Sequence, residues 1–241
     1  MQTRAEYEFT TTHRDTHYLW PLSETQIVSE ISEIFKQMPK LYIADGHHRS
    51  SSSCLLAQQL AQENNNHTLK DPYNYFMSFL IPESDLKIFE FNRLIKDLNG
   101  LSKEAFLIRL DFSFRIENRG QNFYKPTKKH HFSMYLDGDF YSLYLRKDTY
   151  EINNALQALD TQILYKLIFE PILGIKDLRN DTRIEYSDGK KDMAFVKTAV
   201  DTKEFAVGFG MLPVTTQEMK KIADEGLKMP PKSTYIEPKP V

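Results

Sequence analysis

The sequence predicts an α+β fold on three observations. Helical and extended patterns alternate through residues 1–80. Alternating apolar strands then follow over residues 112–145, two of them joined by Asp137-Gly138, a strong hairpin signal. Sixteen Phe and thirteen Tyr suit sheet surfaces better than a purely helical bundle.

Each element has its own local reason. Residues 1–20 show no clear period and read as strand or loop ending at Trp20-Pro21, because proline biases its predecessor toward extended backbone. Ser23 is the natural N-cap of a helix on which Ile27, Ile31, Ile34 and Phe35 fall at helical spacing; it ends near Gln37-Met38, before Pro39. Residues 41–44 form an apolar run that reads as a short buried strand. Residues 50–62 read as a helix with Leu55, Leu56 and Leu60 toward the core, followed by a polar loop at 63–67. Residues 73–81 and 86–95 read as strands. Leu98-Asn99-Gly100 breaks the pattern, and Ser102 caps a helix through Leu110. Strands are expected at 112–116, 131–136 and 140–145. A helix over 159–173 ends at Gly174, and further elements follow as a helix at 192–200 and a strand at 205–212. Thr215 or Thr216 opens a last helix, closed by Gly226, before an extended tail punctuated by prolines. The change of pattern places a boundary between residues 82 and 100, giving regions 1–90 and 91–241.

Composition bounds the function. A net charge of -2 and a pI near 6.4 lack the basic surplus of a protein that grips nucleic acid, so nucleic acid is an unlikely partner. The single cysteine, Cys54, cannot form a disulfide within the chain, which fits a reducing compartment. No run of about 18 apolar residues suggests a membrane span, and the first residues lack a signal-peptide core. A cytoplasmic protein is expected.

The chemistry concentrates in Asp45-Gly46-His47-His48-Arg49-Ser50. Here an extended run meets a helix start. Glycine lets a ligand approach the backbone closely. The first helical amides have no partner within the helix and carry the positive end of its dipole, which favours an anion. Arg49 adds a planar fork suited to phosphate, and hydroxyls of Ser50, Ser51, Ser52 and Ser53 can donate to phosphate oxygens. Asp45 beside such a site makes most sense with Mg²⁺ bridging it to phosphates. The plain alternatives are an N-cap for Asp45 and a surface ion pair for Arg49. Adjacent histidines such as His47 and His48 seldom ligate one ion together.

The Gly46-His47-His48-Arg49 turn resembles the nucleotide-binding turn of the ParB/sulfiredoxin superfamily. With Asp45 included, it is similar to free serine kinases, which phosphorylate L-serine from ADP or ATP. The longer string over residues 41–49 is closer still to a bacterial and archaeal domain-of-unknown-function family, number ten-fifteen. Residues 93–100, 167–174 and the tail Met229-Pro230-Pro231-Lys232-Ser233-Thr234-Tyr235 also match that family. The resemblance implies a ParB/sulfiredoxin-like mixed-sheet core over 1–90 with an appended α+β region. It also implies a small-molecule kinase, with free L-serine favoured. Gly46, His47, His48, Arg49, Ser50 and Ser51 would then bind the nucleotide, ADP or ATP. Asp45 would hold Mg²⁺ or assist deprotonation, and Glu24 would be the general base. The rival reading is a non-catalytic switch of the ParB type that binds CTP or ATP. Family members carry a long segment ahead of the part seen here, so the chain is expected to be a C-terminal piece. They usually have an aromatic or small residue after the arginine, where this chain has four serines. Sulfiredoxin chemistry needs a cysteine where His47 stands, and Cys54 is expected to be core.

Three lesser candidates remain. His13 and His17 could share a helical face and hold zinc, though solvated loop residues are the simpler reading. Lys128-Lys129-His130 is a small basic cluster. Lys232-Ser233-Thr234 could meet a phosphate, against a tail that simply packs Tyr235 and Ile236 on the core.

Overall fold

The computed structural model of the chain describes residues 4–12, 14–188 and 191–238. It divides into two units, Met1–Ile43 and Ala44–Val241. That division falls well before the 90/91 boundary read from the sequence.

In the first unit, strands β1 (Tyr7–Thr10) and β2 (Thr16–Leu19) pair antiparallel, with Tyr7 opposite Leu19 and Thr10 opposite Thr16. The Phe9 and His17 rings stack at 5.1 Å across this pair. Helix α1 (Thr25–Lys36) starts after Glu24, not after Ser23. Glu24 is therefore the N-cap, in extended backbone, and its side chain caps no amide. The apolar stripe is present but buries nothing: Ile31 and Ile34 are both exposed.

In the second unit, helix α2 (His47–Glu63) is followed by β3 (Lys87–Phe89), β4 (Phe91–Ile95), α3 (Lys103–Asp111), β5 (Phe114–Gly120), β6 (His131–Leu136) and β7 (Asp139–Leu145). Then come α4 (Asp160–Leu164), β8 (Ile184–Asp188), α5 (Met193–Asp201), β9 (Val207–Gly210), α6 (Thr216–Asp224) and β10 (Tyr235–Glu237). Six strands form one sheet in the order β5-β7-β6-β9-β4-β8, and β10 pairs with β3. Alternation with period two sends side chains to two cores. Ile95, Phe132, Met134 and Phe209 pack on one face with Phe106 and Leu110 of α3 and Ile163 and Leu164 of α4. Leu94 and Tyr135 pack on the other face with Val196, Ala199 and Val200 of α5. The result is a sheet between helices, a mixed α and β architecture as expected. Every strand pairing among the described residues is antiparallel, so the mixed sheet expected over 1–90 does not form there.

Several local expectations hold. Asp137 and Gly138, both at positive φ, join β6 to β7 with Leu136 opposite Asp139. The Ser102 hydroxyl accepts from the Ala105 amide, and the helix read at 192–200 forms as α5, with Asp192 as a cap the sequence reading did not name, accepting from the Ala194 amide. Thr215 and Glu218 form a reciprocal capping box on α6.

Others are corrected. Residues 41–44 form no strand, and Leu41 and Ile43 are more than half exposed. Residues 73–81 form no strand either. Tyr73 is drawn into a turn, donating to Asp71 and accepting from Asn64, and Phe76, Met77, Phe79 and Leu80 are exposed. Strand preference describes a fit to a pleated, half-buried surface, and neither run has a partner strand among the described residues. Leu55 and Leu56 are likewise exposed. The 86–95 strand is split at Glu90, its two halves entering different sheets. The 159–173 helix is α4 continued by a π-turn over Tyr165–Phe169, in which the Glu170 amide reaches back to the Tyr165 carbonyl.

Candidate functional site

The start of α2 leaves its first amides without helical partners or a capping side chain. Gly46 sits at φ 77°, ψ 23°, the left-handed region that costs a glycine least. This turns the chain so that its own carbonyl accepts the first helical bond, from Ser50 N at 3.0 Å. Asp45 Oδ1 accepts from the Gly46 amide at 2.8 Å. No side chain caps the helix, and its first turn carries no acidic residue. The amide end of the dipole is thus left uncompensated within the helix. Arg49 folds back toward this end: a Cβ placed on Gly46 would lie 3.5 Å from Arg49 Nη2 and 3.7 Å from Nε. The guanidinium therefore covers the same turn whose amides lack helical partners. A side chain leaning toward the helix N-terminus is what the helical Cα–Cβ direction favours.

A shallow, open depression adjoins the turn, lined by His48, Arg49, Ser52, Ser53, Phe76 and Met77. The serines that line it are the second pair of the four; Ser51 is exposed and Ser50 half-buried on the helix start. His47 and His48 are exposed. Phe76 and Met77 escape a sequence reading because their run looks like strand core, whereas Met77 is fully exposed. Their apolar run was the available signal. Glu24 belongs to the Met1–Ile43 unit, as the exposed N-cap of α1.

The remaining candidates resolve as follows. Cys54 is exposed, which corrects its expected burial: α2 presents no buried residue at all. His17 lies on β2 and not on a helix, and His13 lies outside the described residues. No group of three or more His, Cys, Asp or Glu suited to a metal occurs among the described residues. In the tail, Ser233 is buried and donates to the Pro230 carbonyl at 2.8 Å, so this segment packs on the body of the protein. Arg93, itself buried, donates to the carbonyls of Lys232, at 3.1 Å, and Phe91. Burial holds its guanidinium down to about 10. No helix is long and apolar enough to cross a membrane among the described residues.

Residues 1–162 match the family model described as "Protein of unknown function (DUF1015)". The chain belongs to the DUF1015 family. No curated protein matches this DUF1015 chain. Among solved structures, a free serine kinase mutant in complex with AMP is 12% identical, over 90% of this chain and 81% of that one, with a TM-score of 0.45. A free serine kinase mutant in complex with ADP is 13% identical, over 90% and 82%, with a TM-score of 0.43. A conserved hypothetical protein from Pyrococcus furiosus is 13% identical, over 90% and 84%, with a TM-score of 0.43.

Proposed function

We propose that the Asp45–Arg49 turn holds the phosphates of a nucleotide, ADP or ATP, and that the protein moves a phosphoryl group to a small-molecule hydroxyl, free L-serine being favoured. One observation carries the reading: the Arg49 guanidinium lies back over Gly46, at a helix start that no side chain caps. The resemblance of Asp45-Gly46-His47-His48-Arg49 to the serine kinase turn supports it. Phosphoryl transfer asks a protein mainly for positioning and charge stabilisation. In this reading, the amides of His47, His48 and Arg49, the Arg49 fork, and the hydroxyls of Ser50 and Ser51 bind phosphate. Asp45 offers one carboxylate, a donor that Mg²⁺ takes together with phosphate oxygens and water. The ion would neutralise phosphate charge. The resemblance assigns Glu24 as the base that would take the proton of the acceptor hydroxyl as its oxygen bonds to phosphorus and the bond to the leaving nucleotide oxygen breaks. In this reading the Gly46–Arg49 turn is of the ParB/sulfiredoxin type and the enzyme is cytoplasmic.

Calorimetric titration with ADP and ATP, paired with phosphorus NMR of reactions containing L-serine, tests this. Arg49→Gln should weaken nucleotide binding roughly tenfold or more, the worth of a charge-assisted hydrogen bond. Glu24→Ala and Asp45→Ala should bind nucleotide but form no phosphoserine. Equal loss of binding in both variants, with no product in the wild type, would instead support the nucleotide switch. Failure of the wild type to bind any nucleotide at millimolar concentration would refute both.

A further inference from the structure

We infer that the cleft between the π-turn, the loop after Gly174 and the proline tail is a second anion site, suited to a small phosphorylated ligand. None of its residues belongs to the Asp45–Arg49 turn, so the inference goes beyond the proposed function.

Lys176, Arg179 and Lys228 all line this cleft. Among the described residues none of the three stands in a close ion pair, although Lys176 acts on Glu170 and Arg179 on Asp177 at longer range, and neighbouring cations are paired directly. Lys166 pairs with Glu170 at 2.8 Å, and Arg183 pairs with Asp181 at 2.8 Å. The nearby acids are thus committed elsewhere. Asp177, the one carboxylate on the cleft wall, is committed too. Its Oδ1 accepts from the Arg179 amide at 2.9 Å and the Asn180 amide at 3.3 Å, and its Oδ2 accepts from the Asn180 side chain at 2.8 Å. Those bonds, the Asn180 side chain first, hold its carboxyl below the usual aspartate value. It closes the loop and stays ionised, so its charge offsets one of the three cations. Three exposed cations against that one carboxylate leave the open concavity with a net positive potential.

The walls are also built. The π-turn sets Tyr165 where its hydroxyl can reach the Lys176 carbonyl at 3.0 Å, tying the loop to the helix. Such bulges in helices recur at functional sites. On the opposite side, Pro230 and Pro231 restrict the backbone. Gln162 adds an amide donor, while Leu156 and Leu178 supply apolar floor. The cleft holds about 240 Å³, below the roughly 300–1,000 Å³ of pockets that take drug-sized ligands. A phosphate, or a phosphate ester with few carbons, matches that size.

Amide NMR of the full chain, titrated with inorganic phosphate and separately with glycerol 3-phosphate, tests the site. Sodium chloride at matched ionic strength is the control. Saturable shifts are expected at residues 162–165, 176–179 and 228–229. Arg179→Gln and Lys228→Gln, both at exposed positions, should each weaken binding roughly tenfold while circular dichroism stays unchanged. Arg49→Gln should leave these shifts intact. Shifts that never saturate, that chloride reproduces, that survive both substitutions, or that map only to residues 45–53 would overturn the inference. The last of these outcomes would leave the proposed function standing.

Discussion

Asp160 is the residue whose environment is most at odds with its chemistry. It is buried, its Oδ1 accepts from the His130 amide at 2.8 Å, and its Oδ2 has no partner among the described groups. Burial pushes its carboxyl up to about 6, against the opposing pull of the His130 amide and Lys129. Because the folded value lies above the unfolded one, the proton is held more tightly in the folded protein. The associated stability is full below the unfolded pKa and is lost as pH rises through about 6. A rise of about two units corresponds to ~3 kcal/mol. Asp160→Asn keeps an acceptor for His130 and removes the ionisation. Urea denaturation should find this variant about 2 kcal/mol more stable than wild type near pH 7.5, the gap closing toward about pH 4. A pH-independent gap would contradict the assignment. The same scale contains what was legible at the candidate site: Gly46 and Arg49 announce the turn by residue type. That Arg49 leans back on Gly46, and that Ser52 and Ser53 face the depression, are matters of side-chain direction that spacing does not fix.

At the scale of elements, the packing of α5 on β9 is unforgiving. A Cβ on Gly208 would come within 2.2 Å of Val196 Cγ1, and one on Gly210 within 2.7 Å of Met193 Sδ. Two glycines in a buried central strand thus let the helix approach the sheet closely. Gly208→Ala should cost about 3 kcal/mol or more, the upper range of overpacking penalties, measured as a lowered denaturation midpoint at unchanged slope. An unchanged midpoint would mean that α5 can move away cheaply. Elements with local signals were readable in advance: the Asp137-Gly138 hairpin and the Ser102 and Thr215 caps depend on residues within a few positions of each other. The π-turn and the break at Glu90 were not. Both answer to neighbours distant in sequence, as when β3 pairs with β10 while β4 pairs with β8 and β9.

Across the whole molecule, burial is distributed unevenly. Among the described residues of 4–90 none is buried, while every core residue falls between 92 and 236. Segments with few buried apolar contacts open at low free energy. Limited proteolysis should therefore cut first within residues 4–90 and leave a resistant product spanning most of 91–238, identified by mass spectrometry. Early cleavage inside the six-stranded sheet would overturn this expectation.

By itself the sequence determined the α+β character, several turns and caps, and the position of the helix start after Gly46, because each is written in short-range pattern. Only the tertiary structure decided which apolar runs become strands and which stay exposed, since a strand exists through its partner. The same holds for the three cations drawn to one cleft from residues 176, 179 and 228: charge meets charge across the fold, where linear spacing gives no warning.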